Sequence, residues 1–65
     1  MSYKEWLLAE LENDGYIDSV EMDILEIDRD YLLQCTEVVE ADLDNYEAQF
    51  AEHCKNRGAT PIWDF

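Results

Sequence analysis

Any chemistry this chain performs has to come from its carboxylates. Of 65 residues, 17 are Asp or Glu and only 4 are Lys or Arg, for a formal net charge of -13. Between residues 18 and 57, Asp23, Glu26, Asp30, Glu37, Glu40, Asp44 and Glu47 follow one another at steps of three, four or seven. On a helix, that spacing turns them toward one side. Helical neighbours three or four apart have Cβ atoms about 5–6 Å from each other, a distance of the same order as the charge spacing along a nucleic-acid strand. Arg29 is the only Lys or Arg between Asp18 and Cys54, so the ridge is nearly pure acid and repels itself. Such a field is repelled by nucleic acid and by anionic membranes and is drawn to basic protein surfaces. The expected partner is therefore a basic protein, most simply a nucleic-acid-binding one, with neither direct nucleic-acid binding nor membrane association.

Other chemistries have no footing. The pairs Asp28/Asp30 and Asp42/Asp44 lack the loop spacing and central glycine of a calcium-binding EF-hand. Ser2 and Ser19 stand where helix caps belong and His53 is the sole histidine, so no nucleophile is matched to a base. Cys35 and Cys54 would lie roughly 28 Å apart on one helix, too far for a disulfide, and read as free thiols. Gly15 and Gly58 punctuate helices and do not form a phosphate loop. No catalytic residue, metal or cofactor is expected.

The elements that must carry the carboxylates are helices. A hydrophobic fraction of 48% with 12% aromatic residues argues for a folded chain, and its length argues for one small domain over residues 1–65. A first helix is expected at about 2–13, opened by Ser2 and Glu5 in capping-box spacing with Met1 and Trp6 as the staple, and stopped by Gly15. Its sticky face is Tyr3, Trp6, Leu7, Leu8 and Leu11. Its charges run against the dipole, with Lys4 at the positive end and Glu10, Glu12 and Asp14 at the negative end. Asp18 and Glu21, with Ile17 and Met22 as a staple, open a second helix; Lys55, Arg57, Gly58 and Pro61 mark its end near residue 57.

Between those marks there is no Gly or Pro, and Val20, Ile24, Ile27, Tyr31, Cys35, Val38, Leu43, Tyr46 and Phe50 form an apolar stripe. The expectation is an all-α fold in which the short N-terminal helix folds back on a long amphipathic helix over about 18–57, followed by an extended tail over 58–65. A break near residues 34–36, with Thr36 capping a new helix, would instead give a three-helix bundle. Because turn residues are absent there, the unbroken helix is preferred. It leaves Val39 to Phe50 uncovered, and a homodimer would supply the cover.

Two functional readings follow. In the first, the acidic ridge replaces phosphates in a basic groove. In overall character, by its size and one-sided acidity, the chain resembles the small acidic DNA-mimic proteins that phages and mobile elements direct against host enzymes; that resemblance implies an inhibitor or decoy. With no apolar run long enough for a membrane span and no leader pattern, a cytoplasmic location is expected. In the second reading the protein is a structural adaptor. It then binds through its apolar stripe and the tail residues Ile62, Trp63 and Phe65, which otherwise fold back to close the core.

Overall fold

A computed structural model describes residues 1–18 and 27–65. It contains three helices: α1, Tyr3–Asn13; α2, Arg29–Cys35; and α3, Glu40–Arg57. The all-α architecture is as the sequence implies. The start signal at Asp18, Glu21 and Met22 and the stripe residues Val20 and Ile24 fall largely outside the described residues.

Helix α1 begins where the capping pattern places it, with the Ser2 hydroxyl accepting from the Glu5 backbone N–H at 3.2 Å. It ends as Asp14 N–H donates to Glu10 O and Gly15 N–H to Glu12 O, at 2.9 and 3.1 Å. Gly15 takes φ 85°, the left-handed geometry that glycine adopts without a Cβ penalty. The buried face is Tyr3, Leu7, Leu8 and Leu11, and it packs on Leu43, Tyr46, Phe50 and Cys54 of α3. The two helices run antiparallel. Tyr46 meets Asp14 at one end, Trp6 and Phe50 pack with tilted rings whose centroids are 5.4 Å apart midway, and the Cys54 and Met1 sulfurs lie 4.0 Å apart at the other end.

The unbroken helix over 18–57 is not what the chain forms. Helical structure stops at Cys35 and restarts at Glu40; the alternative placed near residues 34–36 is the one observed. A 40-residue helix would be about 60 Å long, whereas the longest dimension of the molecule is 33 Å. Side chains supply the turn chemistry that Gly and Pro do not. The Thr36 hydroxyl donates to Leu32 O at 2.5 Å and accepts from Val38 N–H at 3.1 Å, which ends α2 and turns the chain. Thr36 is therefore the linker, and the N-cap position of α3 belongs to Val39, whose N–H donates to the Asp42 carboxylate at 3.2 Å. Asp28 caps α2, accepting from Tyr31 N–H at 2.8 Å.

Folding the stripe in two places Ile27, Leu32 and Val38 in the same core as α1 and α3. Each such side chain contributes about 1.5–3 kcal/mol when buried, more than the few tenths that a handful of extra helical residues would add. The break also lets the chain cover most of its own stripe. Leu43, Tyr46 and Phe50, the residues that a second copy was needed to cover, are buried within one chain.

The tail closes the terminal end. Ile62 pairs with the N-terminal segment as an isolated parallel bridge to Ser2: Tyr3 N–H donates to Ile62 O at 2.9 Å, and Ile62 N–H to Met1 O at 2.8 Å. Trp63 packs on Tyr3 and Phe50 with centroids 5.0 and 5.2 Å away, and Phe65 lies against Tyr3.

Candidate functional site: an acidic pole

The break redistributes the carboxylates. Asp23 and Glu26 lie outside the described residues. Asp30 is exposed in the first turn of α2, Glu37 is exposed in the linker, and Glu40, Asp44 and Glu47 line one flank of α3. That flank is turned about 90° from the direction of Leu43, Tyr46, Phe50 and Cys54, so the row borders the core and does not lie opposite it. Glu47 is accordingly half-buried while Glu40 and Asp44 are open to solvent. Arg29 of α2 reaches across to both ends of the row, at 4.0 Å from Glu40 and 3.7 Å from Glu47. Pairs this long and exposed contribute about 0–1 kcal/mol each; they hold α2 against α3 more by position than by strength.

A second grouping comes from α1. Because α1 and α3 are antiparallel, the C-terminal end of α1, with Glu10, Glu12 and Asp14, sits beside the N-terminal end of α3, with Glu40, Asp42 and Asp44. The charges that oppose the dipole of α1 therefore stand next to the positive end of α3, where carboxylates are favoured. Lys4, Lys55 and Arg57 gather at the opposite, terminal end. The molecule thus has an acidic pole assembled from three segments, where the sequence suggested one straight ridge.

Two tyrosines are set into this pole. Tyr46 donates its hydroxyl to the Asp14 carboxylate, and both burial and that bond hold its pKa above the ordinary phenol value. The half-buried Tyr16 is raised too, chiefly by the negative charge of Asp42, with Asp14 and Glu37 adding to it. On α1, toward the far end of α3, Tyr3 is 1% exposed and its hydroxyl has no hydrogen-bond partner among the described residues. Burial first, and then the charge of Glu47, pushes it up to about 12 from 10.0.

A folded-state pKa above the unfolded value means that the stabilisation is complete below the unfolded pKa and is lost as pH rises through the folded one. The chain should therefore unfold cooperatively as pH climbs from 10 toward 12, with tyrosinate absorbance and loss of helical circular dichroism moving together. Full ionisation of the tyrosines with helicity intact would show that Tyr3 is not sealed in the core.

No family model, curated protein or solved structure matches this chain. Function has to be argued from the pole and the tail themselves. Among the described residues there is no group of His, Cys, Asp and Glu arranged to hold a metal ion, and no helix is long and apolar enough to cross a membrane. Cys35 is exposed and Cys54 buried, both as free thiols.

The tail residues divide. Phe65 is packed against the core, whereas Ile62 and Trp63 are 55% and 52% exposed. Sequence reasoning missed Asp64. Its carboxylate accepts from the Ser2 hydroxyl at 2.5 Å and from Lys4 N–H at 2.9 Å, which makes it an anion at the N-terminus of α1. The Ser2 hydrogen bond, followed by the Lys4 backbone bond, holds the Asp64 carboxyl below 3.8. No local pattern links residue 64 to residue 2, so only the fold reveals this cap.

Proposed function

We propose that this chain is a non-catalytic acidic binding protein that occupies the basic, nucleic-acid-binding surface of a partner protein, its carboxylates standing where phosphates would. The observation that carries the reading is the acidic pole: exposed carboxylates from α1, the linker and α3 gathered at one end, in a chain of net charge -13. The two ion pairs found among the described residues both use Arg29, so the carboxylates are poorly neutralised from within. Exposed like charges at this density cost stability, and a complementary basic surface offsets that cost on binding. The decoy character, the inhibitory outcome and the phage or mobile-element setting belong to this proposal, as does action by a single copy of the chain.

The test is capture of the partner on the immobilised protein, followed by elution with duplex DNA or with salt. Elution by DNA, together with a steep loss between low and high ionic strength, is expected of a surface read through phosphate-like charge. The double reversal Asp30→Lys with Asp44→Lys should lower capture at least about tenfold while helicity is kept, since both side chains are exposed and Lys is a good helix former. Capture that is indifferent to DNA, salt and the reversal would overturn the reading. A second reading, an adaptor that binds through apolar contact, is favoured by the exposed cluster of Met1, Ile62 and Trp63; it expects Trp63→Ala to abolish capture and salt to leave it unchanged.

A further inference from the structure

A cleft of about 520 Å³ opens at the acidic pole, lined by Gly15, Tyr16, Gln34, Cys35, Thr36 and Glu37. It lies where the C-terminal end of α2 faces the turn that follows α1, and none of the described residues that line it is Lys, Arg or His. Its walls are rich in hydrogen-bond acceptors. Glu37 contributes an exposed carboxylate and Gln34 an exposed amide. The C-terminal residues of α2, Gln34 and Cys35, are part of the lining. Helices α1 and α3 are both closed by backbone N–H groups, but among the described residues α2 is closed only by the Thr36 hydroxyl on Leu32 O. The carbonyls of Gln34 and Cys35 receive no backbone N–H there, and the last turn of α2 holds no basic residue. Helix-end carbonyls in that state favour a cation.

Tyr16, a half-buried aromatic residue, is also part of the lining, and Asp14, Asp42 and Glu37 act on its hydroxyl. An ammonium is a compact, strongly hydrated point charge and gains less from an aromatic neighbour and dispersed acceptors. A guanidinium is planar, carries five donors, stacks on aromatic rings and pairs with a carboxylate through two parallel bonds. We infer that this cleft seats an arginine side chain of the basic partner, an inference that rests on the reading proposed above and adds to it one specific contact. The broad field of the pole draws the partner in, and the cleft fixes its register by selecting Arg over Lys.

The experiment uses the full chain, uniformly labelled with nitrogen-15, titrated with N-acetyl-arginine-amide and, separately, with N-acetyl-lysine-amide. The expected result is a saturable shift of the backbone amides at residues 15–16 and 34–37 by the arginine compound, with the lysine compound about tenfold weaker. Glu37→Gln should reduce the response severalfold, and Glu52→Gln, exposed in the C-terminal half of α3 and outside the cleft, should leave it unchanged; the same spectra report whether each variant is folded. Equal responses to both compounds, shifts centred on the Glu40–Glu47 row, or indifference to Glu37→Gln would each overturn the inference. Because no partner is present in this titration, its failure leaves DNA-competed capture standing. Conversely, capture that ignores DNA and salt would fail the broader reading whatever the cleft binds.

Discussion

Leu43→Asp should unfold the chain outright. Leu43 is 1% exposed in α3, within the core shared with α1, Leu32 and Val38. Losing the buried leucine costs about 2–5 kcal/mol, and forcing a carboxylate into the same space costs several more or leaves it protonated. A chain of 65 residues has roughly 3–10 kcal/mol of stability in total, so the variant should show little helical circular dichroism at room temperature. The unmodified chain should sediment as a monomer, because the stripe that Leu43 belongs to is covered in cis. A matched change in the same helix separates burial from helix chemistry. Val39 is 56% exposed at the N-cap of α3, where Asn is among the best residues, and Val39→Asn should hold the stability or raise it by up to about 1 kcal/mol, read as an equal or higher melting temperature. A Leu43→Asp protein that stays helical while a dimer of the parent splits would return the argument to a long helix covered by a second chain.

The helix class and both ends of α1 were legible because their signals are local. Ser2 and Glu5 at capping spacing, Gly15 past the last apolar residue, and Lys55, Arg57 and Gly58 at the end of α3 each act within one turn of the chain. The break at 36–39 was visible as an option, since Thr36 is a capping type and Val38 and Val39 are indifferent helix formers. What decides it is tertiary and has no local signal: the gain from laying Ile27, Leu32 and Val38 on the α1–α3 core. The seven ridge positions were identified by a periodicity that assumed one straight helix, and once the helix breaks the period no longer places Glu37 with Glu40, or Asp30 with Asp44. What survives is the row Glu40, Asp44 and Glu47, which lies inside one real helix. The reversed charges of α1 were noticed in the sequence as a cost, but their role at the pole depends on the antiparallel docking of α3. Asp64 and the hydroxyl of Tyr46 act across 62 and 32 positions of sequence, distances at which spacing rules carry no information.

Removing residues 62–65 should destabilise the chain more than any exposed charge change. The deletion takes away the packing of Trp63 on Tyr3 and Phe50, that of Phe65 on Tyr3, the two backbone bonds of Ile62, and the Asp64 cap on α1. Two half-covered aromatic side chains contribute about 3 kcal/mol together, and charge-assisted hydrogen bonds to an exposed cap add on the order of 1 kcal/mol. In a domain this small that approaches the whole margin, and the melting temperature should fall by about 15 °C or more. Asp64→Asn isolates the cap, and pH identifies it. A carboxyl held below its unfolded pKa of 3.8 contributes fully above that value and loses its contribution as pH falls through the lower folded value. The gap in stability between Asp64→Asn and the parent should therefore be constant from pH 7 to about 5 and close as pH drops below about 4. A truncated chain that melts where the parent does would show that Trp63 and Phe65 lie on the surface without supporting it. The tail would then be the binding element of an adaptor, and the acidic pole would lose its claim to be the working surface.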